Sequence, residues 1–361
     1  MIKYKLGDVV KVRSERVNNP ASCSYDKFVG LEHYVSGEIE IKKYGDTSLL
    51  KSAMKVFRAG DILVARRNVY LKRASIVKFD GITSGDSIVL QVENKLLRRI
   101  IPFVLNTDNF WEYAEKFSDG TMSKRLSPKV LLEYEFMLPE LDEQEKLAEL
   151  LWAANNTKDA YKKLIHLTDE LVIAQFIEMF GDPNKSVDTV SLEEAFEIRN
   201  DLRKPLSDAI RSEMHTGELY PYYGANGQVD MINEYLMDCT ALCLAEDCGS
   251  YGPGEATSYI ITGKSWVNNH AHVLIPRECC DIEFANIYFK ILDMSEYVTG
   301  TTRLKLTKGK MREIPFVLHP MDKQKQFATF VQKRDKSVSE LQQNIDNLEK
   351  MIKALMTKNF G

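Results

Sequence analysis

Two kinds of hydrophobic pattern alternate along the chain. Short apolar or alternating runs bounded by turn-forming residues read as strands: GDILVAR (60–66), ASIVKF (74–79), DSIVLQV (86–92), TALCLA (240–245), SYIIT (258–262) and HAHVLIP (270–276). The first twelve residues, MIKYKLGDVVKV, alternate in the same way. Two long segments differ. Residues 142–180 hold no Pro or Gly, and their apolar positions Leu147, Leu151, Ala154, Tyr161, Ile165, Val172 and Met179 share one helical face. That helix ends at Gly181, a glycine C-cap, followed by the stop Pro183. Over 322–358, Val338, Leu341, Ile345, Leu348, Ile352 and Leu355 alternate steps of three and four, a heptad seam. Shorter helices are predicted at 108–117, 191–197 and 282–293. Each long helix would run about 55 Å at ~1.5 Å per residue, and a single apolar stripe of that length needs a partner. An antiparallel coiled coil within the chain is the favoured pairing; the alternative is a helix of another chain.

The pattern occurs twice. LPELDEQEKLAELL (138–151) falls on LHPMDKQKQFATFV (318–331), an offset of 180 residues, and ILVA (62–65) falls on LCLA (242–245) at the same offset. So do Gly120 on Gly300 and Leu126 on Leu306, while LGDVVKVR (6–13) resembles LEEAFEIR (192–199) with a small shift. That period is too long for a solenoid unit and fits a duplicated module. The expected fold is α+β: two mixed, β-rich domains separated by two long antiparallel coiled-coil helices, related as a pseudo-twofold duplication. The predicted boundaries are 1–139 and 183–320 for the domains, 140–182 and 321–361 for the helices.

Composition changes this picture little; charge changes it more. The chain of 361 residues has a net charge of −4, which gives no global sign of a nucleic-acid partner. By segment, residues 1–139 carry 23 Lys and Arg against 17 Asp and Glu, and 183–320 carry 13 against 20. The first domain is therefore basic and the second acidic, with the second domain's cations gathered at Arg303, Lys305, Lys308, Lys310 and Arg312, after Thr299–Thr302. The helices are acidic and basic in turn, which suits their pairing. No run of 18 apolar residues and no export signal is visible, so a cytoplasmic location is expected. Cys23, Cys239, Cys243, Cys248, Cys279 and Cys280 are then expected as thiols, and no CxxC spacing supports zinc.

Catalytic signatures are absent. There is no P-loop, dinucleotide fingerprint, GxSxG or HExxH, and neither an NPP(F/Y)-type adenine-methyltransferase motif nor a nuclease PD…(D/E)xK cluster. His270 and His272 alternate onto one strand face, as metal ligands would, but no third ligand is apparent; hydrogen-bonded structural or DNA-facing histidines are favoured. Glu246 and Asp247 follow a buried strand, where adjacent carboxylates serve catalysis, cap a turn or accept from cytosine N4. PYYGANG (221–227) carries the Asn-Gly hairpin signal. Its GxxG spacing lacks the flanking helices and cations of a backbone clamp of the KH type.

Taken together, the residues resemble the specificity subunit of type I restriction–modification systems over essentially the whole chain. FVGLEHYVSGEI (28–39) with FRAGDILVARR (57–67) is similar to that family's first target-recognition domain. PYYGANGQVD (221–230), LCLAEDCGSYG (242–252) and WVNNHAHVL (266–274) are similar to a common second one, and TGTTRLKLTKGKMREIPFVLHPMDKQKQ (299–326) to the junction with the spacer helix. The resemblance implies a non-catalytic subunit whose two domains each read half of a bipartite double-stranded DNA site. It implies helices that space the domains and dock two methyltransferase subunits, with an endonuclease subunit as a further partner. No cofactor is expected on this chain, S-adenosylmethionine belonging to the methyltransferase, and no metal or membrane is expected. Candidate DNA contacts in the first domain are Arg13, Arg66, Arg67, Lys72, Arg73, Lys124 and Arg125, chosen because Arg forks onto guanine or phosphate. In the second they are Tyr223, Asn226, Glu246, Tyr251, Asn268, Asn269, His270, Arg303 and Lys305. Asn reads adenine bidentately, although Asn268 and Asn269 equally suit a turn. The acidic balance of the second domain implies weak DNA binding by the chain alone. The alternative function is a coiled-coil adaptor with β-rich protein-binding heads.

Overall fold

The computed structural model describes residues 1–360 apart from Leu49, Met122 and Thr302. Two compact units emerge, one of Met1–Lys162 together with the chain from Gln342 onward, the other of Lys163–Leu341. The division passes through both long helices. Each unit therefore holds one β-rich head and a half of each helix.

In the first unit β1 (Ile2–Lys5) leads into a helical turn, α1 (Leu6–Val9), and then β2 (Lys11–Val12) and β3 (Arg16–Val17). The strand expected over 1–12 is thus broken, because Leu6 turns inward and is fully buried in the core. The head continues through β4 (Lys27–Val29), β5 (Gly45–Asp46), β6 (Met54–Phe57), β7 (Ile62–Ala65), β8 (Ala74–Ile76), β9 (Gly81–Thr83) and β10 (Ser87–Gln91). These pair as two sheets, in the orders β2-β10-β7-β8 and β3-β6-β9-β4-β5. The β7 and β10 strands are apolar on both faces because sheet and helices cover them, so their sequences read as continuous runs. Three helices follow: α2 (Lys95–Val104), α3 (Asp108–Phe117) and α4 (Pro128–Leu132). The second of these matches its predicted bounds. The first was not foreseen, since Pro102 inside it argues against a helix; it starts where Asn94 accepts the Leu96 and Leu97 N–H groups. Next, β11 (Glu135–Leu138) pairs with β1 and delivers the chain to α5 (Leu141–Phe180).

The second unit repeats this plan. A capping box between Ser191 and Glu194 starts α6 (Leu192–Ala195). It ends earlier than the predicted 197 because Phe196 is drawn into β12 (Phe196–Ile198), where it pairs with Pro276. After α7 (Asp208–Glu213) come β13 (Tyr220–Gly224), β14 (Gly227–Ile232), β15 (Met237–Asp238), β16 (Ala241–Ala245), β17 (Ser258–Ile261), β18 (Lys264–Val267) and β19 (Ala271–Pro276). The order β12-β19-β16-β17 reproduces β2-β10-β7-β8 strand for strand, and β14-β13-β18-β15 reproduces β5-β4-β9-β6, the five-stranded sheet of the first head carrying β3 in addition. The parallel pair β4·β9 has its counterpart in β13·β18. The helices α8 (Ile282–Ile291) and α9 (Lys308–Arg312) match α2 and α4, and α10 (Met321–Phe360) closes the chain.

Both long helices form as predicted, and their pairing within the chain is what each unit contains. In the first, Leu147, Leu151 and Ala154 of α5 share a core with Ile352, Met356 and Phe360 of α10. In the second, Val172 and Phe176 of α5 share one with Phe327 and Val331 of α10. The second core is aromatic: Phe176 stacks on Phe284 at 5.3 Å and meets Phe327 edge-on at 5.4 Å. Gly181 caps α5 in the left-handed region (φ 85°), as its sequence position required.

Candidate nucleic-acid interface

The polar surface of each head is set by one backbone arrangement. In the first head the N–H of Leu126 donates to the carbonyl of Arg66, and the Arg66 N–H donates to the carbonyl of Asp86. In the second, Leu306 donates to Glu246 and Glu246 to His270. The loop before each contact closes through a two-residue bridge, Asp119 with Arg125 and Thr299 with Lys305. That loop needs glycine at one point: Gly120 and Gly300 lie at φ 97° and 96°, and a Cβ on Gly300 would sit 2.3 Å from the Arg303 carbonyl oxygen. The offset of 180 residues thus places Arg66 and Arg67 where the second head has Glu246 and Asp247.

The cations of the first head divide into two groups. Arg13 is held by Asp61 through two hydrogen bonds of 2.7 and 3.1 Å, and hydrogen bonding to that carboxylate raises its pKa. Arg66 donates to the Leu126 carbonyl at 3.1 Å, and Arg73 to the carbonyls of Leu31 and Arg67 at 3.1 and 3.0 Å; burial lowers the pKa of both. These three guanidinium groups are half-buried and engaged by the chain itself, which gives each a framework role. Lys72 pairs with Asp108 at 3.0 Å and Lys124 donates to the Glu115 carbonyl at 2.8 Å, both at exposed positions. Arg125 pairs with Asp86. Arg67 is the loosest, half exposed, with Ser123 at 3.4 Å and Asp86 at 4.0 Å as its side-chain partners among the described residues. Of the candidate cations, Arg67, Lys72, Lys124 and Arg125 thus keep outward positions.

In the second head the acidic pair is neutralised. Glu246, only 8% exposed, receives Arg203, Lys305 at 3.0 Å and, more distantly, His272 at 3.7 Å. Burial pushes its pKa up, but the hydrogen bonds from Arg203 and Lys305 outweigh that and hold it below the usual value. Asp247 binds Nδ1 of His270 at 2.8 Å and the Arg303 guanidinium. His272 is fully buried; its Nε2 donates to the Leu306 carbonyl at 2.8 Å and its Nδ1 accepts from Asn200 at 2.9 Å. It is therefore the structural histidine of the two, and burial lowers its pKa. Among the described residues no group of three His, Cys, Asp or Glu could hold a metal ion.

A shallow depression of about 510 Å³ lies beside this cluster, bordered by Asn226, Gln228, Asp247, Asn268, His270 and Arg303. It gathers four of the predicted residues, Asn226, Asn268, His270 and Arg303. The PYYGANG segment forms the expected hairpin, with Ala225 and Asn226 in the loop and Gly227 at φ 123°. Its tyrosines are framework. Tyr222 is buried and its hydroxyl accepts the Leu206 N–H at 3.1 Å. Tyr223, half-buried, stacks on Tyr259 at 5.7 Å and so supports the hairpin. Tyr251 is buried more deeply: at 1% exposure it has no outer surface, and its hydroxyl serves Ala245 and Cys248. Glu246 likewise sits behind its cations. Asn268 takes the turn role, its Oδ1 accepting the His270 N–H at 2.8 Å, whereas Asn269 remains exposed. Of the basic cluster after 300, Lys310 pairs with Glu313 at 2.6 Å and Arg312 with Glu193 at 2.8 Å; Thr302 lies outside the described residues. Two residues here were missed. Arg203 had no signal beyond its charge, and Gln228 followed an Asn-Gly turn that marks a protruding tip.

The family described as "Type I restriction modification DNA specificity domain" matches the chain twice, over residues 1–167 and 184–350. The putative type I restriction enzyme specificity subunit S.HindORF215P of Haemophilus influenzae is 33% identical over 136 residues. That match covers 37% of this chain and spans only a third (33%) of the relative's length. A crystal structure of the type I restriction–modification S subunit from M. genitalium is similar in fold, with a TM-score of 0.61 and 14% identity over 100% of this chain and 96% of that one. A structure solved in a study of the assembly and conformational transition of a type I R–M system gives 0.52 and 16% over 99% and 96%. No helix among the described residues is long and apolar enough to cross a membrane.

Proposed function

The chain belongs to the type I restriction–modification DNA specificity family, and we propose that it is the DNA-reading subunit of such a complex, each head recognising one half of a split double-stranded site. The observation that supports this most is the repetition of one frame with different side chains at its polar end: Arg66 and Arg67 in one head, Glu246 and Asp247 in the other. A duplicated scaffold with two unlike polar surfaces suits the recognition of two unlike half-sites. In the first head Arg67, Lys124 and Arg125 supply phosphate contacts or a guanine fork; in the second Asn226, Asn269, His270 and Arg303 border the reading surface. The chain brings no chemistry of its own. The outer faces of α5 and α10 dock two methyltransferase subunits, which carry S-adenosylmethionine, and an endonuclease subunit joins as a further partner.

The test is the pattern of methylated adenines in cells that express this chain with its methyltransferase. Exchange of residues 183–320 for the corresponding domain of another member of the family should change one half of the methylated sequence and leave the other half intact. Co-purification with protein partners but an unchanged methylation pattern would sink the reading in favour of an adaptor.

A further inference from the structure

Within the second head the geometry points to Gln228, with Val229, as the pair of side chains that reads one A·T base pair; this deepens the DNA-reading function proposed above and rests on it. The β13–β14 ladder is regular from Tyr220 to Tyr222 and then slips: Tyr222 lies opposite Asp230, but Tyr223 lies opposite Gln228. Val229 is the extra residue of a bulge. In a regular ladder neighbouring side chains point to opposite faces, and a bulge re-aims one of them. Here Gln228 and Val229 both border the same depression and both are exposed, Val229 by 59%.

The tip that carries them is held from behind. The Tyr259 hydroxyl donates to the Gly224 carbonyl, the Asn268 N–H to the Tyr223 carbonyl at 3.0 Å, and Nδ2 of Asn226 to the Ala256 carbonyl at 3.0 Å. A reading element on a fixed support keeps its geometry when it meets its target. The same bonds discriminate among the polar groups at the depression. Asn226 gives one N–H of its amide to the chain itself, which fixes the amide's orientation. Asn268 has spent its carbonyl oxygen on a turn, and Asp247 is closed by His270 and Arg303. Among the described residues bordering the site, Gln228 is the amide with both ends free, which makes it a better bidentate reader than Asn226.

An amide with a free donor and a free acceptor matches N7 and N6 of adenine in the major groove, and an exposed branched aliphatic side chain matches the thymine methyl. The groove is wide enough for a two-stranded ribbon. Arg303, 74% exposed at the rim, is placed to meet a phosphate and fix the approach. Asp247 and Glu246 beneath carry their own cations, so the surface does not repel the DNA as its formal charge would suggest.

The experiment uses the complex of this chain with its methyltransferase subunits. In Gln228→Ala the methylated motif should relax at one A·T position, within the half that exchange of residues 183–320 alters. Affinity for the parent site should fall roughly ten- to hundredfold. Replacement of the thymine of that pair by uracil should weaken binding by the parent protein and have no further effect on Val229→Ala. Neither side chain supports the fold, so thermal melting should be unchanged. A motif identical at every position in Gln228→Ala, with melting and assembly intact, overturns the inference. If exchange of 183–320 changes a half-site while Gln228→Ala does not, only this inference falls. If the exchange itself changes neither half, the DNA-reading function falls with it.

Discussion

The two heads share a strand order, a loop with glycine at the same point and the same backbone contacts, yet at equivalent positions one has Arg66 and Arg67 and the other Glu246 and Asp247. The frame depends on buried apolar residues and backbone hydrogen bonds, which the change of charge leaves untouched. The charge change has a structural consequence of its own. In the first head arginine side chains reach back to carbonyl groups. In the second, two carboxylates at the same place recruit Arg203, Lys305, Arg303 and His270, most of them from elsewhere in the sequence. A duplicated head can thus diverge in surface without diverging in fold, provided each new buried charge acquires a partner.

The cores differ too, and here the largest effect is expected. Phe176 joins α5 to the second head within a cluster of Phe284 and Phe327, whereas the first unit has Met356 at the position 180 residues on, in a core it shares with Ile352 and Phe360. Phe176→Ala should cost about 4 kcal/mol and Met356→Ala about 2–3 kcal/mol, because methionine leaves a smaller and more easily filled gap. Hydrogen exchange read separately in the two heads checks this; equal losses would show that the two packing modes are equivalent. Next in size is Arg203→Ala. It strips the buried Glu246 of its first cation and should destabilise the second head by about 3 kcal/mol, whereas Arg66→Ala removes one charge-assisted bond to a carbonyl and should cost roughly 1.5 kcal/mol. If Arg203→Ala costs no more than Arg66→Ala, Lys305 alone suffices for Glu246.

Much of this fold was legible in the pattern of the chain. The long helices, six of the strands and the duplication follow from periodicity and offset, because burial of a stripe or a sheet face leaves a regular trace. The helix Lys95–Val104 is amphipathic, with Lys95, Arg98 and Arg99 on one face, but it is short and Pro102 falls inside it, where proline argues against a helix. Nor could periodicity show that each compact unit takes one half of each long helix. The motifs of the second head hold Asn226, Asn268, His270 and Arg303, which the fold brings to one depression, but their contacts left no trace in the sequence. Arg13 looks the same as Arg67 in sequence; what separates them is Asp61, 48 residues away, which occupies the first. Tyr251 and Glu246 belong to one candidate motif but face inward. Gln228 was readable only as the residue after a turn until the ladder showed the slip at Val229.

The heads should also part company in mild acid. His272 is buried with Glu246, Arg203 and Lys305 about it, and burial holds its pKa below 6.5. His319, packed against Phe180 and Phe284, is lowered by burial as well. A histidine depressed in the folded state binds fewer protons there than when unfolded, so its contribution is complete above pH 6.5 and is lost as the pH falls below it. The first head buries no such histidine; His33 keeps partial exposure. Amide protection in β19 should therefore decline relative to β10 between pH 7 and pH 5.5. Parallel declines would mean that carboxylates common to both heads govern the acid response.

The smallest effect on stability, and the one that isolates recognition from folding, belongs to Arg67. Its two polar contacts are long and it is half exposed, so Arg67→Ala should change stability by no more than about 0.5 kcal/mol. Its value lies in the field it presents, since Arg125 keeps Asp86 and the neighbouring framework stays in place. If Arg67 meets a phosphate, its loss should weaken DNA binding almost equally for all sequences and lower the slope of log affinity against log salt by about one. If it forks onto guanine, discrimination should fall at one position of the first half-site by about 1–3 kcal/mol. Binding of the assembled complex across a salt series, on DNA matched and mismatched in that half, separates the two. Unchanged affinity, slope and selectivity would remove Arg67 from the interface and leave the first head reading through Lys124 and Arg125. The contrast at the duplicated position would then concern the stability of the second head alone.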